Sequence, residues 1–208
     1  MTRAVRVRLL SGIYVIVNEG SEAVNLTAAA LQGGARIVQY RAKFGLDRNT
    51  ATTMRALTRR AGALFIVNDE WQAALEYDAD GVHLGSADAP PESLAAIRRA
   101  LPECAIGLSC GTAREARAAA VEADYIGVGS VYATVSKDDA GPPIGIAGLR
   151  RIAAATPLPV VAIGGITQER IAEIRSSGVA MAAVISAVAR SADPAAATRA
   201  LVHAWNAP

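Results

Sequence analysis

Val160-Val161-Ala162-Ile163 is apolar at every position and runs directly into Gly164-Gly165. A strand with one face in water alternates apolar with polar residues, whereas a parallel strand covered on both faces reads as an unbroken apolar run. Outward from this stretch, short runs rich in β-branched residues recur along the chain. They predict strands at Tyr14–Val17, Ile37–Tyr40, Leu64–Val67, Gly81–His83, Ala105–Leu108, Tyr125–Val128, Val160–Ile163 and Ala182–Ile185. Between them lie Ala-, Arg- and Leu-rich segments that predict helices at Glu22–Leu31, Asn49–Arg60, Trp71–Tyr77, Pro91–Ala100, Ala113–Glu122, Ile146–Ala154, Gln168–Ser176 and Pro194–Ala204. Each strand is therefore followed by a helix.

An open doubly wound sheet also satisfies this alternation. The count of eight strands, their regular spacing and the lack of a GxGxxG fingerprint after the first strand favour closure. The fold class expected is α/β, a single (β/α)8 TIM barrel over residues 1–208, with residues 1–12 as an N-terminal extension of unassigned role. Helix punctuation agrees: Thr112 and Thr167 precede helices, Asp193-Pro194 opens the last one, and Gly33-Gly34, Gly62 and Gly178 stop others. With 52% hydrophobic but only 4% aromatic residues, the core must be layers of Ala, Val, Ile and Leu.

Composition also removes whole classes of function. A net charge of +2 with scattered basic residues gives no nucleic-acid footprint. No apolar run approaches the ~20 residues of a membrane span, and Met1–Leu10 is too short in apolar residues for a signal peptide. Cys104 and Cys110 lie in an apolar segment with no CxxC, which reads as buried thiols in a reducing compartment. The expectation is a cytoplasmic protein with no nucleic-acid or membrane partner; a homo-oligomer stays open.

In a (β/α)8 barrel the active site lies at the C-terminal ends of the strands, and that is where the uncommon polar residues fall. After the second strand, Gln39, Arg41 and Lys43 alternate onto one face, an amide and two cations pointing together, with Tyr40 and Ala42 between them. If that face is the barrel mouth it is an anion clamp; otherwise it is a strand running into solvent. The third strand ends in Asn68-Asp69, a pair that also suits a helix N-cap. After the fourth, Gly81-Val82-His83-Leu84-Gly85 leads to Asp88, and two carboxylates on neighbouring strands suit a hard cation such as Mg²⁺. His83 itself reads more readily as a packed core histidine than as a catalyst. Ser109 closes the fifth strand. The long Gly129–Gly145 connection carries Thr134, Val135, Ser136 and Lys137, whose two hydroxyls and ammonium suit phosphate oxygens. Gly164-Gly165 and Ile185-Ser186 follow the seventh and eighth strands, where barrels often bind phosphate through backbone N–H groups.

Gln39-x-Arg41-x-Lys43, Asn68-Asp69, Gly81-Val82-His83-Leu84-Gly85 with Asp88, Ser109, Thr134-x-Ser136-Lys137, Gly164-Gly165-Ile166 and Ile185-Ser186 together resemble the thiamine phosphate synthase family, in order and spacing, from about Tyr14 to Ala204. The resemblance implies a transferase of thiamine biosynthesis. Such an enzyme joins the small phosphorylated molecule 4-amino-2-methyl-5-hydroxymethylpyrimidine diphosphate to a thiazole phosphate and releases diphosphate. It also implies roles. Gln39, Tyr40, Arg41, Ala42, Lys43, Asn68, Ser109 and Lys137 would hold the pyrimidine diphosphate, with Arg41, Lys43 and Lys137 as the catalytic cations. Asp69 and Asp88 would bind Mg²⁺, and Thr134, Val135, Ser136, Gly165, Ile185 and Ser186 the thiazole phosphate.

The chain departs from the family pattern at Gly111, where many synthases have histidine, at Asn18-Glu19 in place of Thr-Asp, and at Ser136 in place of threonine. Two other readings compete: a thiazole tautomerase, whose proton transfer relies on a histidine that Gly111 removes, and a non-catalytic phosphate-ligand binder.

Overall fold

In a computed structural model of the chain, residues 1–43, 45–85, 91–134, 136 and 141–207 are described, with Pro91 and Glu92 as backbone only. Asp88, Val135 and Lys137, all expected at the site, lie outside the described residues. The strands are β1 (Gly12–Asn18), β2 (Ile37–Arg41), β3 (Leu64–Asn68), β4 (Gly81–Leu84), β5 (Ala105–Cys110), β6 (Tyr125–Val128), β7 (Val160–Ile163) and β8 (Met181–Val184), and they close into a barrel in sequence order. Every pairing is parallel, β8 back onto β1 included. The helices are α1 (Arg3–Arg8), α2 (Ala23–Gln32), α3 (Arg48–Ala61), α4 (Trp71–Glu76), α5 (Pro91–Ala100), α6 (Ala113–Ala119), α7 (Gly145–Ala153), α8 (Ile171–Arg175), α9 (Ser186–Ala189) and α10 (Pro194–Asn206).

The sequence reading found every strand and eight of these helices. It did not separate Gln168–Arg170, a 3-10 turn, from α8, and it missed α1 and α9. Both are short, and four to six residues carry too little periodicity to be read. At two of the three expected N-caps the chemistry is present. Thr112 and Glu115 form a reciprocal capping box on α6, and the Asp193 side chain accepts from Ala196 N at 2.9 Å with Pro194 opening α10. Thr167 makes no side-chain cap.

Strand alternation splits the core in two. Inward residues such as Tyr14, Ile37, Leu64, Tyr125 and Met181 fill the barrel lumen, while outward ones such as Val38, Tyr40, Phe65 and Val67 pack on the helices. Ile37 and Leu64 are both 0% exposed, and burying such a side chain stabilises by ~1.5–3 kcal/mol. Two lumen positions must lack side chains. A Cβ at Gly107 would lie 2.2 Å from Cζ of Tyr125, and one at Gly127 would lie 2.9 Å from Cε1 of His83.

The N-terminal face of the barrel is built on two buried aspartates, each directly before a strand. Asp80 accepts from Phe65 N at 3.0 Å, Arg55 at 2.7 Å and Arg6 at 3.1 Å. Asp124 repeats this with Ile106 N at 2.8 Å, Arg98 at 2.6 Å and Arg3 at 2.7 Å. Residues 1–12, left without a role by the sequence, thus contain a helix whose Arg3 and Arg6 bind both aspartates. This closed end leaves the opposite face for chemistry.

Candidate active site

At the C-terminal ends of the strands a cavity of about 340 Å³ opens between two groups of residues. One wall carries Tyr14, Gln39, Asn68, His83 and Ser109; the other carries Thr134, Ser136, Gly165, Ile185 and Ser186. These come from β1 to β5 on one side and from the connections after β6, β7 and β8 on the other. The sequence reading placed eight of these ten residues at the site.

On the first wall, Gln39 is 2% exposed and its Nε2 donates to the Tyr14 hydroxyl at 3.0 Å. His83 lies with Nδ1 3.2 Å from the Tyr125 hydroxyl and Nε2 3.2 Å from Oγ of Ser109. It lines the cavity, so reading it as a packed core histidine was too narrow. Tyr14 and Tyr125 were missed altogether. The available signal was a tyrosine near the start of a strand that faces the lumen, where a buried hydroxyl needs a partner.

Tyr40 and Ala42 are corrected by the same alternation. The Tyr40 ring is 1% exposed in the helix layer, its hydroxyl meets the Thr50 side chain and the Asp47 backbone, and burial raises its pKa. Ala42 packs on that layer too. Their side chains face away from the cavity, so only their backbone is available to a substrate.

Arg41 is the last residue of β2 and Lys43 lies just beyond it; neither is part of the cavity wall. Glu19 fixes their segment, donating its N–H to Arg41 O at 2.8 Å and accepting from Lys43 N at 2.9 Å. Asn18-Glu19, a departure from the family pattern, therefore has a structural part here.

Asp69 sits at φ +60°, a strained conformation for a side chain other than glycine and one that clusters at functional sites. Its N–H donates to His83 O at 2.8 Å, and its carboxylate accepts from Gly85 N at 3.1 Å and from Asn68 Nδ2. Such N–H donors orient a hard oxygen ligand as the outer partners of metal-binding carboxylates do. Among the described residues no group of three or more His, Cys, Asp or Glu side chains converges, and Asp88 is not one of them.

The second wall is held by close approach. A Cβ on Gly164 would lie 2.0 Å from Oγ of Ser130, and one on Gly165 would lie 2.6 Å from Ala133 O; both residues have positive φ. Arg170 locks this contact, its guanidinium 4.2 Å over the Tyr132 ring and its Nη1 donating to Gly165 O at 2.5 Å. The Tyr132 hydroxyl donates to Glu173 at 2.6 Å, and burial followed by that carboxylate pushes its pKa up to about 12. Thr134 Oγ1 accepts from Ser136 N at 3.2 Å. Gly111 lines the cavity and gives its N–H to Glu115 at 2.7 Å.

The family model for thiamine monophosphate synthase matches residues 13–188, which spans every element just described at the barrel mouth. The chain belongs to the thiamine monophosphate synthase family. It is 46% identical over 199 residues to the thiamine-phosphate synthase of Moorella thermoacetica, covering 91% of this chain and 93% of that one. It is 47% identical over 195 residues to the bifunctional ThiM/ThiE thiamine biosynthesis protein of Symbiobacterium thermophilum, covering 91% of this chain but only 40% of that longer protein. Among solved structures, the thiamine phosphate pyrophosphorylase of Pyrococcus furiosus superposes with a TM-score of 0.86 at 39% identity, over 95% of this chain and 96% of that one. Family membership makes the chain a transferase of thiamine biosynthesis, with thiamine-phosphate synthase activity. Among the described residues no helix is long and apolar enough to cross a membrane.

Proposed function

We propose that the chain condenses 4-amino-2-methyl-5-hydroxymethylpyrimidine diphosphate with a thiazole phosphate, giving thiamine phosphate and diphosphate in the cytoplasm. The observation that carries this reading is the division of one cavity into two unlike walls. The Gln39–Ser109 wall offers an amide, an imidazole and a hydroxyl to a polar ring, and the Thr134–Ser186 wall offers hydroxyls and close backbone to a monophosphate. Two substrates can thus meet in one cavity.

Arg41, Lys43 and Lys137 are assigned to the diphosphate, with Gln39, Asn68 and Ser109 on the pyrimidine side. Thr134, Val135, Ser136, Gly165, Ile185 and Ser186 are assigned to the thiazole phosphate. The bond from the pyrimidine methylene to the diphosphate oxygen breaks and its electron pair leaves with diphosphate. The thiazole nitrogen then supplies the pair for the new C–N bond. Charge grows on the leaving oxygens in that step, so fixed cations lower the barrier more than they tighten ground-state binding. No enzyme base or nucleophile is required. Asp69 and Asp88 would hold Mg²⁺, which would neutralise part of the diphosphate charge; the oriented oxygens of Asp69 fit that role.

The test is to mix the two precursors with Mg²⁺ and purified protein, then omit each component in turn. Diphosphate release that needs both precursors and is lost with chelator supports the reading. Binding of either precursor without turnover contradicts it.

A further inference from the structure

Tyr132 does not line the cavity, yet the chain after β6, the chain after β7 and α8 all meet on it. Its N–H donates to Gly164 O at 3.0 Å and its carbonyl accepts from Ser130 Oγ at 2.7 Å. Its hydroxyl donates to Oε2 of Glu173 at 2.6 Å, and the guanidinium of Arg170 lies 4.2 Å from the centre of its ring.

Spacing along the chain explains why one ring collects these contacts. Arg170 ends the 3-10 turn and Glu173 lies three residues on in α8, so both side chains leave one face of a helical turn. The cation covers the face of the ring. The carboxylate takes the phenol hydrogen, which it can only accept. On the cavity side, a Cβ at Gly165 would lie 2.8 Å from the Tyr132 Cβ and 2.6 Å from Ala133 O. Tyr132 and Ala133 therefore occupy the space a side chain at position 165 would need. Packing this close transmits a shift of Tyr132 to Gly165, and the two-residue step to Thr134 transmits it there. Gly165 and Thr134 both line the cavity.

We propose that Tyr132 and Glu173 are positioning residues that set the monophosphate wall from behind. The carboxylate on α8 holds the tyrosine, and the tyrosine holds the backbone of Gly165 and the hydroxyl of Thr134 in place for a phosphate group. That this phosphate belongs to the thiazole substrate rests on the synthase reading above. Neither Tyr132 nor Glu173 lines the cavity, so their loss weakens binding on this wall without removing a group that meets the reacting atoms. Such a loss raises KM and leaves kcat unchanged.

The experiment combines steady-state kinetics, each precursor varied in turn, with calorimetric binding of the thiazole phosphate alone. Tyr132→Phe keeps the ring beneath Arg170 and loses the bond to Glu173; Glu173→Ala loses the same bond from the other end. Glu173 is exposed, so the bond counts as an ordinary one rather than as a buried charged one. Each variant should raise KM and Kd for the thiazole phosphate about threefold to tenfold. Its kcat and its KM for the pyrimidine diphosphate should not change. The double variant should be no worse than either single one, because all three lose the same interaction. Glu173→Gln, whose amide oxygen still accepts, should stay within about twofold of the unmodified protein. Unchanged KM and Kd in a folded Tyr132→Phe variant would overturn the proposal. So would single effects that multiply in the double variant, or equal rises in both KM values. If the chain released no diphosphate, the synthase reading would fail while the Kd values still decided the role of Tyr132 and Glu173. Absence of both turnover and binding would overturn both.

Discussion

Nε of Arg6 donates to Oδ1 of Asp80 at 3.1 Å, tying the helix that precedes the barrel to the residue directly before β4. Asp80 is 0% exposed and also holds Arg55 and the Phe65 N–H. Removing its carboxylate leaves two guanidinium groups and an amide without their acceptor. Asp80→Ala should therefore cost ~3–5 kcal/mol of stability, the cost of breaking a buried ion pair. Urea unfolding measures this. A variant with an unchanged midpoint would show that the N-terminal face does not hold the barrel closed.

Arg41→Ala and Lys137→Ala should each lower turnover by ~10²–10³, as removal of a group that meets developing charge does. Circular dichroism should be unchanged in both; the Arg41 side chain is not part of the buried core. Full synthase activity in either variant would remove that residue from the diphosphate clamp.

Asp69→Ala should raise the Mg²⁺ concentration needed for half-maximal rate. Its φ of +60° is held by bonds to His83 and Gly85, so Asp69→Asn keeps much of the shape without the charge. Both variants should shift the Mg²⁺ titration in the same direction. A titration that superimposes on that of the unmodified protein would put the metal elsewhere.

Arg170 stands behind the second wall, stacked 4.2 Å over Tyr132 and bonded to Gly165 O. Arg170→Ala removes both contacts and should loosen the backbone that faces the thiazole phosphate. We expect KM for that substrate to rise about tenfold, the scale of one hydrogen bond to a charged group, while KM for the pyrimidine diphosphate stays level. Steady-state kinetics with each substrate varied in turn decides it. Equal rises in both constants would mean that Arg170 supports the whole mouth rather than one wall.

Much of this was legible in the sequence because parallel strands and polar strand ends leave local patterns. Val160–Ile163 reads as β7 from its own four residues, and Gln39 and Ser109 stand out as polar residues at the end of apolar runs. Alternation, applied strictly, also sends Tyr40 and Ala42 outward, and the family likeness overrode it. What stayed hidden depends on residues far apart in the chain. Tyr14 and Tyr125 are 111 positions apart and meet only when the barrel closes. The bonds of α1 to Asp80 and Asp124 are equally non-local, and a six-residue helix has no pattern of its own to announce it.

The most direct test of the central claim is a single-pot reaction of the two phosphorylated precursors with Mg²⁺, followed by mass spectrometry and a diphosphate assay. Thiamine phosphate and diphosphate should appear together in equal amounts and only when both precursors are present. Isomerisation of the thiazole, or tight binding of the precursors with no diphosphate released, would contradict the account.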